Sequence, residues 1–151
     1  MKNLILLALL LLLSACSSEQ TTPEQAIRDL IARGVEAGES RDTGALIDLT
    51  DKNYLDQNGY NRSQLEKLLR LQFLRNKNIF LFSKINSIEF EAEDRALVSL
   101  HLAMAGSAIS DAGALAGLRA RVYRFELLLV KDEEWRVIKA NWHAAVAGDM
   151  R

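Results

Sequence analysis

Residues 119–147 read "RARVYRFELLLVKDEEWRVIKANWHAAVA". On either side of Asp132-Glu133-Glu134, apolar, β-branched and aromatic residues recur with a period of two. This is the pattern of a β-hairpin with one buried face. The pairing register decides which face is buried, because a slip of one residue turns every side chain over. With Asp132 opposite Trp135, Tyr123, Phe125, Leu127 and Leu129 share a face with Ile138, Ala140, Trp142 and Ala144. That face is apolar apart from a phenol hydroxyl and an indole N–H. Arg124, Glu126, Lys139, Asn141 and His143 take the other side. The opposite phase would bury Lys139, Asn141 and His143 without partners, at a cost of several kcal/mol, and is rejected on that ground.

Two more strands precede this hairpin, "NIFLFSKINSIEFEA" (78–92) and "RALVSLHLAMA" (95–105), turning at Glu93-Asp94-Arg95. Phe90 opposite Val98 and Ile88 opposite Leu100 would face inward, and Ser99 and His101 outward beside Ser87 and Glu89. The small-residue stretch "GSAISDAGALAGL" (106–118) links the hairpins as a loop. Before Ile79 the apolar period is 3.6 instead of two. Thr22 caps a first helix with Pro23 at its first turn and Gln25 completing a capping box. Ile27, Leu30, Ile31 and Val35 form its buried stripe. A second, shorter helix carries Ala45, Leu46 and Leu49. Asn58-Gly59 marks a turn, and Asn61 caps a third helix reaching about Asn76. Its apolar face is Leu65, Leu68, Leu69, Leu71, Phe73 and Leu74; Arg62, Lys67, Arg70 and Arg75 form the wet one.

Three helices followed by a meander of strands, with "NRSQLEKLLRLQFLRN" before the first long strand and "EEWRVIKANW" in the last, resembles the nuclear transport factor 2-like superfamily, also called cystatin-like. The resemblance implies an α+β fold in which three N-terminal helices pack on a curved antiparallel four-stranded sheet, making a cone. Isomerases, dehydratases, polyketide cyclases and binding modules share it, so the fold does not choose a function.

The N-terminus has a different character. Lys2 precedes an apolar run at residues 4–13, too short for a transmembrane helix, and Ser14-Ala15 follow it. The single cysteine of the chain, Cys16, closes the run, and Leu13-Ser14-Ala15-Cys16 resembles a bacterial lipobox. That resemblance implies cleavage before Cys16, a diacylglyceryl group on its thiol and attachment to a membrane. Ser17, in place of aspartate, implies the outer membrane, facing the periplasm. The expected organisation is a signal peptide over 1–15, a lipidated polar tether over 16–22 and one domain over 23–151.

With 19 basic and 20 acidic residues the chain offers no electrostatic case for nucleic acid. No Walker-type loop, nucleophile elbow or metal-ligand spacing occurs, and no cofactor, metal or catalytic residue is assigned. Tyr54, Phe73, Tyr123, Phe125 and Trp142 are the candidate pocket-lining residues; Tyr54 and Asp56, before the Asn-Gly turn, are candidates for guarding the mouth. His101 and His143 suit either acid–base chemistry or a solvated sheet face. Three functions fit: a non-enzymatic envelope module binding an apolar ligand or a protein, an isomerase- or dehydratase-like enzyme using Tyr123 with Asp56 or Asp111, and a protein that dimerises through the outer sheet face. Want of an interior base favours the first and third. Open space between helices and sheet would favour ligand binding over the last.

Overall fold

The computed structural model describes residues 21–106 and 120–146. The signal segment, Cys16, most of the tether and Asp111 lie outside the described residues. Among those described there are three helices, α1 (Pro23–Glu39), α2 (Thr43–Asp48) and α3 (Arg62–Arg75), and five strands. These are β1 (Thr50–Asp56), β2 (Phe80–Ala92), β3 (Arg95–Ala105), β4 (Arg121–Lys131) and β5 (Trp135–Ala145). They form one mixed sheet in the order β1-β5-β4-β3-β2.

The sheet therefore has five strands where the alternation in the sequence gives four, and it is not wholly antiparallel. The additional strand, β1, runs parallel to β5. Its sequence, "TDKNYLD", is polar and lacks alternation, because as an edge strand with an irregular register it buries only Thr50, Tyr54 and Asp56. Leu49 O accepts from Val137 N at 2.9 Å, and Gln57 N donates to Ala140 O at 3.1 Å, fastening both ends of β1 to the last strand.

The helix starts follow local chemistry. Thr22 Oγ1 accepts from Gln25 N at 3.1 Å, but the Gln25 side chain donates to Asp29 at 2.8 Å, leaving the expected box half formed. The reciprocal box occurs on α3, where Asn61 and Gln64 each bind the other's backbone N–H.

In the second hairpin Tyr123 pairs with Ala144, Phe125 with Trp142 and Leu127 with Ala140, the register that burial favours. Beyond Leu128 the register shifts by one, so Leu129 faces Val137 and Lys131 faces Trp135. Ile138 is the extra residue of this bulge and does not share the core face as the uninterrupted pattern would have it; Trp135 and Val137 do. In the first hairpin the pairs are Phe90 with Ala96 and Ile88 with Val98, two residues from the expected ones, because Arg95 belongs to the strand and shortens the turn. A shift of two preserves the faces of Ile88 and Phe90, but a second irregularity between Ile85 and Ser87 moves the pairing by one more, to Ser83 with Leu102 and Leu81 with Met104, and turns Leu81 and Ser83 to the inner face.

The core joins Ile27, Leu30 and Ile31 of α1 to Tyr54, Ala96, Val98, Leu100, Leu129, Trp135, Val137 and Ala140. Phe90 and Trp135 meet edge-on at 6.0 Å although β3 and β4 run between their strands. Strands are spaced by about 4.8 Å, so this contact requires the inner face to curl.

Candidate functional site

The helices do not fill the inner face of the sheet. A cavity of about 360 Å³ remains between them. Its roof is Leu65, Leu69 and Phe73 of α3, at the i, i+4, i+8 spacing that aligns one face of a helix. One wall is the half of α1 that carries Ile31, Gly34, Val35 and Gly38. The floor is Leu81 and Ser83 of β2, Leu100, Leu102 and Met104 of β3, Phe125 and Leu127 of β4, and Val137 and Ala140 of β5. β1 contributes Thr50 and Tyr54.

Glycines create part of this space. A β-carbon on Gly38 would stand 2.6 Å from Leu81 Cδ1, closer than carbon atoms approach, so α1 and β2 touch only because Gly38 has none. One turn earlier, Gly34 leaves a position where a β-carbon would meet Leu49 Cδ1 at an ordinary 3.5 Å.

The polar groups in the lining are Thr50, Tyr54, Gln72, Asn76 and Ser83. Thr50 Oγ1 is committed to Ile47 O at 2.7 Å, and Asn76 Nδ2 donates to Gln72 O at 2.9 Å. Tyr54 is 3% exposed. Burial, with a smaller effect from the Asp56 carboxylate, pushes its hydroxyl up to about 12. At neutral pH it is a hydrogen-bond donor and never a base. Asp56, two residues on, is 5% exposed. Its Oδ1 accepts from Asn58 N at 2.7 Å and Tyr60 N at 2.9 Å, holding the turn around Gly59, whose φ of 77° suits glycine. Oδ2 is buried and has no hydrogen-bond partner among the described residues.

Of the residues singled out in the sequence, Tyr54, Phe73 and Phe125 line the cavity. Trp142 packs on the core behind Phe125, stacked on its ring at 6.0 Å, and does not reach the cavity wall. Tyr123 lies near the start of β4, opposite Ala144, and is not part of the wall either. His143 is exposed, whereas His101 is not the solvated residue its alternation suggests. It points to the outer face but is only 7% exposed, with Asn86 3.0 Å from Nδ1 and the apolar Ala103–Val122 cluster further along that face. Among the wall residues that alternation did not single out are Gly34, Gly38, Thr50 and Ser83, and Val137 is one that it set on the other face. The glycine pair at i, i+4 on the apolar side of α1 was the available signal.

A second, polar depression of about 480 Å³ lies where α1 and α2 meet the β4–β5 turn. Part of its charge is internally engaged: Arg136 donates to Asp48 O at 3.0 Å and stands 3.9 Å from Glu134. Among the described residues, no group of three or more His, Cys, Asp and Glu is placed to hold a metal.

No protein-family model matches the chain, and no curated protein matches it in sequence. Solved structures do match. A cystatin-like domain of unknown function from Nostoc punctiforme superposes with a TM-score of 0.63 at 14% identity, covering 82% of this chain and 77% of that one. A ketosteroid isomerase-like protein from Erwinia carotovora atroseptica gives 0.61 at 13% identity, covering 85% and 98%. A type 2 hexachlorocyclohexane dehydrochlorinase gives 0.65 at 14% identity, covering 82% and 85%. The chain has the nuclear transport factor 2-like, cystatin-like fold.

Proposed function

We propose that the chain is an envelope lipoprotein that holds an apolar small molecule between its helices and its sheet without transforming it. One observation carries this reading: among the described residues, the lining of the 360 Å³ cavity contains no carboxylate, imidazole, amine or thiol. An apolar cavity of about 150 Å³ takes a benzene ring, so this one suits a ligand of two rings or a chain of similar bulk. Tyr54 supplies a buried donor, able to orient a carbonyl or hydroxyl at one end of such a ligand. The sequence around Cys16 supports delivery to the outer membrane facing the periplasm, where several acyl chains at about 0.8 kcal/mol per buried methylene hold a protein durably.

Titration with a neutral naphthyl fluorophore tests the reading. One site per chain is expected. Leu102→Trp, which fills the cavity, should weaken binding at least tenfold while the protein stays folded. Unchanged affinity in that variant would place the site elsewhere.

A second reading rests on the pair Tyr54 and Asp56. A phenol donor next to a buried carboxylate with one free oxygen is the equipment of proton-transfer chemistry, and the isomerase-like and dehydrochlorinase neighbours share the fold. Isomerisation or elimination on a bound ligand, lost in both Tyr54→Phe and Asp56→Asn, would establish it over simple binding.

A further inference from the structure

We propose that the outer face of α3 rests on an anionic lipid bilayer, so that the cavity roof is also the contact with the membrane. The proposal rests on the envelope-anchoring reading of Cys16. The helix has two apolar rows. Leu65, Leu69 and Phe73 face the cavity. Leu68, Leu71 and Leu74 are 39%, 43% and 80% exposed, and no residue of α3 is fully buried. At 3.6 residues per turn, Leu71 and Leu74 lie opposite the cavity row. A soluble helix needs one apolar row; a second, set in solvent, marks a contact surface.

Charge identifies what that surface meets. Exposed Lys67, Arg70 and Arg75 are interleaved with these leucines, and exposed Lys77 follows. The stretch 62–77 holds five basic residues against Glu66 alone, in a chain that elsewhere has 14 basic and 19 acidic residues. Arg62 pairs with Asp48 and Arg70 with Glu66, whereas Lys67, Arg75 and Lys77 have no acidic partner among the described residues. Leucines that dip into the acyl boundary, with long cationic side chains reaching back to phosphate, are what an interfacial helix presents. A second copy on this face would set cations against cations. The tether fits as well: residues 17–22 span at most about 20 Å, less than the roughly 25 Å length of α1, so a domain anchored at Cys16 stays within one helix length of the headgroups.

The test uses the full chain purified from membranes, carrying Leu74→Cys labelled with a polarity-sensitive fluorophore. In vesicles of phosphatidylcholine and phosphatidylglycerol the label should shift to the blue and be quenched by lipids spin-labelled near the headgroup. Adding Lys67→Gln, Arg70→Gln and Arg75→Gln should weaken this on the order of 100-fold, at about fivefold per cation. A label that stays in water beside anionic vesicles overturns the proposal. So does a shift that grows with protein concentration in the absence of lipid, which would mean a second copy covers the face. Anchoring is read separately: one fluorophore per chain means Cys16 is blocked by lipid, and two mean that it is free, whatever the label at position 74 reports.

Discussion

Tyr54 is buried beside a carboxylate, and both conditions oppose its ionisation. Its hydroxyl sits at about 12, above the ordinary 10. A raised value in the folded state means that stability is intact below pH 10 and falls as the pH climbs from 10 to 12, where the unfolded chain releases the proton first. The loss is about 2–3 kcal/mol at most. Urea midpoints at pH 9 and pH 11 should therefore diverge more in the wild type than in Tyr54→Phe, and equal slopes would mean that the phenol is solvated. Asp56 acts locally instead. Asp56→Ala removes the acceptor for two backbone N–H groups and should cost about 1–3 kcal/mol; Asp56→Asn keeps that acceptor and should cost less. Neither residue's burial was legible in "TDKNYLD", where one aromatic and one leucine stand among polar neighbours and the partner strand lies some eighty residues away.

Among the elements, α1 and the β4–β5 hairpin invite the sharpest tests. Gly34 has helical surroundings and room for a methyl group, so Gly34→Ala should raise stability by up to about 1 kcal/mol. Gly38→Ala gains the same propensity but drives Leu81 toward the cavity; it should show reduced probe affinity with little gain in melting temperature. Trp142→Ala opens the core behind Phe125 and should cost about 3 kcal/mol or more, whereas exposed His143→Ala should stay within about 0.5 kcal/mol. Similar melting temperatures for these two variants would contradict the register. Helix starts were readable because capping is local: Thr22 and Asn61 each act three residues away. The bulge was written in the chain but masked. Trp135 and Val137 keep one phase and Ala140 and Trp142 the other, yet adjacent Val137 and Ile138 are both apolar and disguise the slip. Tyr54, Phe73 and Phe125 of the cavity wall were legible, but the open space was not, since whether apolar rows meet or stand apart depends on how far the helices sit from the sheet.

For the molecule as a whole, the anchor is the simplest claim to challenge. Cys16→Ser should abolish palmitate incorporation and leave the precursor unprocessed, because no other residue can form the thioether; a labelled mutant would refute the lipobox reading. The parallel pairing of β1 with β5 sets a different constraint, on time. β1 begins at Thr50 and its one strand partner among the described residues begins at Trp135, so a chain emerging from the N-terminus can form its helices and first hairpin while β1 has nowhere to dock. Closure waits for the final strand, and non-local pairing of this kind is slow. Pulsed hydrogen exchange should find the amides of β1 and β5 protected together and last, and a chain ending before Trp135 should never protect β1.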